Sequence, residues 1–539
     1  MKLLKHTPLA LATCISLTLS PLAMAQDTAE QTTQTASSMP VATTQYGQVS
    51  GTMKRGVNVF LGIPYGADTS ATRFQPPQAP EPWDGVLEAT SYPDSTPQLE
   101  GNTAVFASWQ ADPEPAMSEN MLGLNIWTPG LDDRKRPVMV WLHGGGFQTG
   151  SGSSTAYEGV NLANRGDVVV VTINHRLNAL GYLYLAGMTD DPAYADSGNV
   201  GTLDMVHALK WVRDNIENFG GNPDNVTIFG ESGGGRKVSV LNAMGMAEGL
   251  FDRAIVQSGS MLSFRTPEQA HKDTLDFFKA VEIEDGDIDA LKALSQDEII
   301  AGLRKAAAMS SRSFSWGPVV DGRSLKYDPF TAPDPQPNAD VPMLIGSNKD
   351  ELSLWLMRPG AGEPKLSFQA VKSLIGEFVT EDEFEDIVEA YRGEFPDYSD
   401  GQILVAMASD VRYSSNAVRQ AKKKAEEGAA PVWLYQFDWE TPVMDGIYKT
   451  PHALEIPFAF DTLENSESMV GDTKAPQGIA DQVSEAWISF ARHGDPNARG
   501  LPFWPTVTPD DVVAMRFNTV SEVDTDYFDV EGAILIDGE

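Results

Sequence analysis

Short and almost wholly apolar runs recur along the chain, each followed by glycine-rich or polar sequence. Residues 137–142 (PVMVWL) and 168–173 (VVVVTI) are typical of strands that are buried on both faces of a sheet. The segment 203–219 has apolar residues at helical steps of four, three and four, namely Met205, Leu209, Val212 and Ile216. This alternation of strands and helices predicts an α/β fold with a large, mostly parallel central sheet.

The same patterns place further elements along the chain. Additional strands are predicted at 122–128, 226–229, 254–257, 343–346 and 432–437, and a hairpin at 48–52 and 57–65. Residues 266–312 and 366–426 have helical patterns with acidic turns, and we expect them to cap the sheet. No repeat or linker divides the chain, so residues 46–539 are predicted to form a single domain. Ligands of such sheets bind at the carboxyl ends of the strands.

The first residues have the pattern of an export signal. Lys2 and Lys5 precede an apolar run that ends in small residues at Ala25, which predicts a signal peptide over 1–25 and a secreted or periplasmic protein. Residues 26–45 are predicted to be a flexible leader. The only cysteine, Cys14, lies inside the signal, so the mature chain would have neither a disulfide nor a thiol nucleophile. A lipoprotein cleavage site at Cys14 is disfavoured because the apolar run before it is short.

The charge excludes some partners. The chain has 75 Asp and Glu residues against 39 Lys and Arg residues, a net charge of -36. Such a surface repels phosphate backbones and anionic lipid headgroups, so no nucleic-acid partner is expected. After the signal, no apolar run reaches the roughly 18 residues that would cross a bilayer, so no stable membrane insertion is expected. The acidic stretch 284–289 lacks the ligand spacing of a calcium loop.

Residues 230–234 read Gly-Glu-Ser-Gly-Gly and follow the apolar run 226–229. A strand that reverses into a helix here would hold Ser232 at the tip of a strained turn. Its hydroxyl would then be exposed beside the amide of Gly233, so a nucleophile and one oxyanion donor would come from adjacent residues. The sequence after the turn, 237–244, contains neither Gly nor Pro and is compatible with the required helix.

A serine nucleophile needs a base, and the base needs a carboxylate to orient it. On this type of turn the order along the chain is serine, acid, histidine. His452, in a proline-bounded loop, is the best candidate base; His493 ends an amphipathic helix, where a histidine usually serves the helix dipole. Asp350 and Glu351 follow the predicted strand 343–346. Spacing alone leaves open which of the two faces His452.

Several motifs together resemble the type B carboxylesterases, the family that includes cholinesterases and many bacterial esterases. They cover nearly the whole mature chain in family order: HGGGF at 143–147, GESGG at 230–234, NKDE at 348–351 and HALEIPF at 452–458, supported by FLGIPY at 60–65, GNVG at 198–201, FGGNP at 219–223, QSGS at 257–260 and GDPN at 494–497.

The resemblance implies an α/β-hydrolase fold with helical capping insertions, and carboxylic ester hydrolysis through an acyl-enzyme. Carried over by motif, the nucleophile is Ser232, the base is His452, and the acid is Glu351 rather than Asp350. The oxyanion donors are then the amides of Gly145, Gly146 and Gly233. A small-molecule ester and water would be the substrates, and no metal or organic cofactor would be required.

The chain departs from the family pattern in places. Gly233 replaces the usual alanine, which is expected to loosen the turn, and Leu352 stands where glycine commonly follows the acid. Thr96 and Met121 occupy positions where many members have a disulfide. An apolar or aromatic substrate pocket is predicted from residues in loops that the family uses near its pocket: Trp109, Phe147, Phe314, Trp316, Trp355 and Met357.

Other functions are compatible with the same motifs. An amidase or acyltransferase would use the same three residues, and the sequence does not separate these activities from ester hydrolysis. Non-catalytic cholinesterase-like binding proteins share the fold but generally lack the intact triad, whereas this chain has all three members. An interfacial lipase is disfavoured because the sequence has no strongly apolar lid helix.

Overall fold

The computed structural model describes residues 39–99, 116–309, 316–328, 336–358, 360, 362–376, 379–525 and 527. The predicted signal peptide, 1–25, and most of the predicted leader lie outside the described residues, as do Trp109 and Phe314.

Fourteen strands form two sheets within the described ranges. Their bounds are β1 Val41–Thr44, β2 Gly47–Ser50, β3 Thr52–Lys54, β4 Val57–Pro64, β5 Val86–Glu88, β6 Gly123–Thr128, β7 Arg136–Leu142, β8 Val169–Ile173, β9 Gly221–Glu231, β10 Arg253–Gln257, β11 Met343–Asn348, β12 Val432–Phe437, β13 Ala514–Phe517 and β14 Glu522–Asp524. The large sheet has the order β14-β13-β12-β11-β10-β9-β7-β8-β6-β4-β3, and β1, β2 and β5 form a separate small sheet.

The α-helices surround the large sheet. They are α1 Val160–Gly166, α2 Asn178–Tyr182, α3 Val200–Asn215, α4 Gly233–Asn242, α5 Pro267–Ala280, α6 Ile288–Ala293, α7 Gln296–Met309, α8 Ser353–Leu356, α9 Phe368–Ile375, α10 Phe384–Glu394, α11 Asp400–Ser409, α12 Ser415–Glu427, α13 Ile456–Ala459, α14 Glu467–Val470 and α15 Gln477–His493. A π-helical turn, Asp410–Ser414, joins α11 to α12. None of the helices in the described ranges is long and apolar enough to cross a membrane.

The central strands are parallel, as predicted. Strands β13 through β8 run in one direction, whereas β6, β4, β3 and β14 join as antiparallel neighbours at the two sides. Alternate residues of β7 face opposite cores: Val140 packs in one core with Leu209 of α3, and Trp141 in the other with Trp487 of α15. Helices on both faces bury the sheet, which explains why its strands read as continuous apolar runs.

A third apolar cluster joins the capping helices. Side chains of α9, α10 and α11, including Val371, Ile387 and Met407, pack together with Leu352, which follows the candidate acid. The predicted helical cap over 366–426 is thus confirmed, and it is attached to the loop that bears Asp350 and Glu351.

Two predictions at the start of the chain are wrong. Val41–Thr44, placed in the flexible leader 26–45, is strand β1 and pairs with β2. The hairpin was predicted between 48–52 and 57–65, but its first strand is β3, Thr52–Lys54, while β2 belongs to the small sheet. The turn Arg55–Gly56 has positive φ at both residues, 50° and 84°, which is the geometry of a two-residue hairpin loop.

Candidate active site

Strand β9 runs directly into helix α4 through Ser232. This residue has φ 56° and ψ −118°, a conformation that is strained for any residue other than glycine. Its amide donates to the carbonyl of Gln257 at the end of β10, 2.9 Å away, which fixes the turn to the neighbouring strand. Ser232 is half-buried, although the residues on both sides of it are buried. The predicted strained turn is therefore present, with the serine at its accessible tip.

The glycine loop after β7 lies against this turn. Gly145 and Gly146 have φ of +83° and +66°, and both are accessible. A Cβ atom at Gly233 would lie only 2.2 Å from the amide nitrogen of Gly146. Glycine at 233, expected to loosen the turn, instead permits this close approach of the two backbones. The glycine loop thus lies directly against the residue that follows Ser232.

His452 lies between two carboxylates. Its Nδ1 atom contacts Oε2 of Glu351, and its Nε2 atom is 3.1 Å from Oε1 of Glu231, the residue before Ser232. The amide of His452 also donates to the carbonyl of Glu351, 3.2 Å away. The residue is buried, with 1% of its surface exposed. The imidazole is therefore held with one nitrogen on Glu351 and the other toward the nucleophile turn.

These surroundings shift the pKa values of His452 and Glu231. Burial alone would lower the pKa of His452, but the charges of Glu231 and Glu351 outweigh it and raise that pKa to about 9. Burial raises the pKa of Glu231 well above its ordinary value. The contact of Glu351 with Nδ1 therefore stabilises a proton on the imidazole, which is the state that a general base reaches after it has taken the proton of a nucleophile.

The adjacent carboxylates of the acid loop point to different partners. Glu351 accepts a hydrogen bond at Oε1 from the amide of Asn348, 2.8 Å away, and holds His452 with its other oxygen. Asp350 accepts from the hydroxyl of Tyr398 at 3.1 Å and from the amide of Thr450 at 3.3 Å. Asp350 consequently supports the loop before His452, whereas Glu351 touches the imidazole itself.

A second row of buried polar groups lies behind the acid, and sequence reasoning did not single it out. Glu455 accepts hydrogen bonds from the side-chain amides of Asn348 at 2.7 Å and Gln257 at 3.2 Å. Gln257 in turn accepts from the indole of Trp487, 3.0 Å away. Burial, with the charge of Glu351, raises the pKa of Glu455 to about 7. The motif HALEIPF contained this residue, but only the fold shows what it contacts.

Two aromatic rings flank the imidazole of His452. The ring centroid of Trp355 is 5.0 Å away and that of Tyr413 is 5.1 Å away. Tyr413 belongs to the π-helical turn between α11 and α12, a type of local widening that is frequent at functional sites. Trp355 was predicted near the pocket from sequence, and it lies beside the candidate base.

The other predicted pocket residues have different surroundings. Trp316 lines a small cavity with Leu99, Gln148, Thr149, Asn178, Leu303 and Ala307, next to the glycine loop. Phe147 is buried edge-to-face on Tyr182, 5.2 Å between ring centroids. Met357 is buried in a small cluster with Val405 and Tyr448.

His493 and the residues that depart from the family pattern have surroundings that fit structural roles. His493 is exposed at the end of α15, as expected for a residue that serves the helix dipole. Thr96 donates to the carbonyl of His175 at 2.7 Å, and Met121 is fully buried in the core. The amide of Leu352 donates to the hydroxyl of Ser409 at 3.0 Å, so a side chain at this position is accommodated.

Comparison with known proteins agrees with this geometry. The sequence profile of the carboxylesterase family matches residues 38–532. The chain is 36% identical over 472 residues to the para-nitrobenzyl esterase of Bacillus subtilis, covering 86% of this chain and 92% of that protein. It is 32% identical over 484 residues to the phenmedipham hydrolase of Pseudarthrobacter oxydans, covering 88% of this chain and 94% of that protein.

Solved structures show the same likeness. A carboxylesterase of Geobacillus stearothermophilus is 38% identical with a TM-score of 0.77, over 92% of this chain and 99% of that chain. An esterase of Clostridium hathewayi that can hydrolyse aliphatic aromatic polyesters is 31% identical with a TM-score of 0.79, over 93% and 99% of the two chains.

The fold and its strained serine turn define an α/β-hydrolase, and the chain is a serine hydrolase that cleaves carboxylic esters. It belongs to the carboxylesterase family.

Proposed function

We propose that Ser232 is the nucleophile, His452 the general base and acid, and Glu351 the carboxylate that orients the imidazole. The observation that carries this assignment is the contact of Nδ1 of His452 with Glu351, which directs Nε2 toward the serine turn. In its neutral form His452 accepts the proton of Ser232 as the hydroxyl attacks the ester carbonyl. Glu351 stabilises the resulting imidazolium through its contact with Nδ1–H.

The oxyanion is received by the amides of Gly145, Gly146 and Gly233 in this proposal. Two of these amides belong to the accessible glycine loop and one to the residue after the nucleophile. The alcohol leaves with the proton from His452, giving the acyl-enzyme. Water then loses a proton to His452 and attacks the acyl carbon, and Ser232 is released with its hydroxyl restored.

Replacement of the nucleophile tests this mechanism. We expect Ser232→Ala to reduce kcat for p-nitrophenyl butyrate by about 10⁴-fold or more, because covalent catalysis is lost. Ser373→Ala, at an exposed serine of α9, is the matched control and should keep wild-type kinetics. Wild-type rates in Ser232→Ala would overturn the assignment.

The substrate is proposed to be a small ester with an apolar or aromatic group. Trp316, Leu303 and Ala307 line the cavity beside the glycine loop, and Trp355 lies against His452. A series of p-nitrophenyl esters from acetate to laurate measures the preferred acyl length, and p-nitroanilides with the same acyl groups measure amidase activity. We expect esters to exceed anilides in kcat/KM; the opposite order would favour an amidase.

We also propose that the protein is secreted or periplasmic, with cleavage after Ala25. The support is the order of basic, apolar and small residues in 1–25. N-terminal sequencing of protein from the periplasm and medium of a Gram-negative host should begin at Gln26; uncleaved protein in the cytoplasm would contradict export.

A further inference from the structure

Helix α4 carries a lysine where packing favours an apolar residue. Lys237 is the fifth residue of this helix, and none of its surface is exposed. Its Nζ atom donates a hydrogen bond to the carbonyl of His143, 2.8 Å away. His143 is the first residue of the loop that continues into Gly144, Gly145 and Gly146. One side chain therefore joins the helix that begins at the nucleophile to the loop that supplies the proposed oxyanion donors.

A buried lysine destabilises the folded state unless its charge is paired. The part of the chain that the structure describes offers no carboxylate within 4.0 Å of Nζ of Lys237. Burial lowers the pKa of the Lys237 amine well below its ordinary value, which favours the uncharged form. Ion pairing is therefore not what this side chain contributes.

Where the start of helix α4 touches the loop after β7, there is no room for side chains that could join the two backbones. A Cβ atom at Gly234 would lie 1.9 Å from the carbonyl oxygen of Leu142, and one at Gly233 would overlap Gly146. The turn lies against the loop just beyond the point where β7 and β9 pair at Leu142 and Gly230. A side chain from one helical turn further on can therefore add to what fixes their spacing. Lys237 is placed there, and its long stem reaches the carbonyl just before the first glycine of the loop.

We propose that Lys237 is a positioning residue for the oxyanion loop. Its hydrogen bond to His143 sets the spacing of the Gly145 and Gly146 amides from Ser232. The proposal rests on the roles assigned above to Ser232 and to these amides. An error of about 1 Å in such a spacing lowers the rate by about 100-fold, because the donors no longer meet the oxyanion.

The substitution Lys237→Met removes the donor and keeps the length of the side chain. We expect kcat for p-nitrophenyl butyrate to fall about 10- to 100-fold while KM stays within about twofold, because the amides act on the oxyanion rather than on the bound ester. The affinity for an alkyl trifluoromethyl ketone, which forms an oxyanion on the serine, should fall by a similar factor. Affinity for butyrate, the product, should stay within about twofold.

Lys424→Met is the matched control. Lys424 of α12 is also buried and donates to the backbone carbonyls of Ala339 and Asn338, at 2.5 and 3.3 Å. This variant should have a lower melting temperature than wild type but keep kcat and ketone affinity within about twofold. If Lys237→Met keeps wild-type kcat, or if both lysine variants lose kcat in proportion to melting temperature, the proposal is overturned.

Two further variants complete the test. Should Lys237→Met not fold, Lys237→Gln replaces it, since its shorter amide cannot span the same gap; the same loss of kcat and of ketone affinity is expected, and wild-type values would overturn the proposal. Ser232→Ala separates the two assignments. Full activity in Ser232→Ala would refute the proposed mechanism, whereas an inactive Ser232→Ala with a normal Lys237→Met would refute only the role of Lys237.

Discussion

At the scale of single residues, Asp350 and Glu351 are neighbours with different contacts. Glu351 touches the imidazole of His452, whereas Asp350 bonds to Tyr398 and to the backbone at Thr450. Glu351→Gln should therefore lower kcat about 10³- to 10⁴-fold, because the amide cannot stabilise the imidazolium and favours the wrong tautomer. Asp350→Asn should lower kcat less than about tenfold, since it keeps a side chain that can bond to Tyr398. Steady-state kinetics on p-nitrophenyl butyrate compares the two, and the reverse order would exchange their roles.

The residues of the site differ in how far the sequence could predict them. Ser232 was predictable because its motif is local: the glycines around it are needed for one turn. The contact of His452 with Glu351 joins residues 101 positions apart, and spacing alone could not prefer Glu351 to Asp350. No sequence pattern indicated a role for Lys237, because a lysine on a helix is usually expected to face water. Long-range polar contacts of this kind are decided by the fold.

At the scale of elements, helix α4 begins with glycines because its first turn lies very close to the end of β7. Gly234→Ala would place a methyl group 1.9 Å from the carbonyl oxygen of Leu142, so the helix must move away from the sheet. We expect a loss of about 3 kcal/mol in unfolding free energy, together with a large loss of kcat. Gly245→Ala, where a Cβ would meet nothing within 4 Å, should change neither property much. Urea unfolding and ester hydrolysis measure both, and equal stability of the two variants would contradict the tight contact.

The strands with the longest apolar runs were predicted correctly, whereas several short strands were missed, among them β13, which is mostly buried. Strands β7, β8 and β12 are buried along their whole length, so their residues form continuous apolar runs. Strand β1 buries only Ala42 and Thr44, which give no such signal. Strand β14, Glu522–Asp524, has no fully buried residue. Sequence patterns report burial, and strands at the margins of a fold have little of it.

At the scale of the whole molecule, the buried ionisable groups predict how stability changes with pH. In the folded state the pKa of Asp350 is raised from 3.8 to about 6, that of Glu455 from 4.5 to about 7, and that of His452 from 6.5 to about 9. Each group binds its proton more tightly in the folded state. Its contribution to the free energy of unfolding is therefore fully present below the pKa that the group has in the unfolded chain. That contribution, about 3 kcal/mol per group at most, is lost as the pH rises through the folded pKa.

Other buried groups oppose this trend, because burial lowers the pKa of His143, His175 and Lys237. We therefore expect the three raised groups to appear as differences between variants rather than as the slope of the whole curve. Repulsion within a chain of net charge -36 also lowers the melting temperature as the pH rises, and 1 M NaCl should reduce only this surface contribution. Asp350→Asn should flatten the curve between pH 4 and pH 6, whereas Asp400→Asn, at an exposed carboxylate, should not. Calorimetry across this range gives the comparison, and an Asp350→Asn curve that stays parallel to wild type between pH 4 and pH 6 would refute the shift assigned to Asp350.

The two outermost strands of the large sheet also limit how copies of this enzyme can associate. Strands β3 and β14 have three residues each, and they carry Lys54 on one side and Glu522 and Asp524 on the other. A strand added at either side would find few free backbone groups and a charged neighbour. At high enzyme concentration, on a resin bead or in a concentrated stock, these two strands are therefore poor templates for the growth of cross-β fibrils.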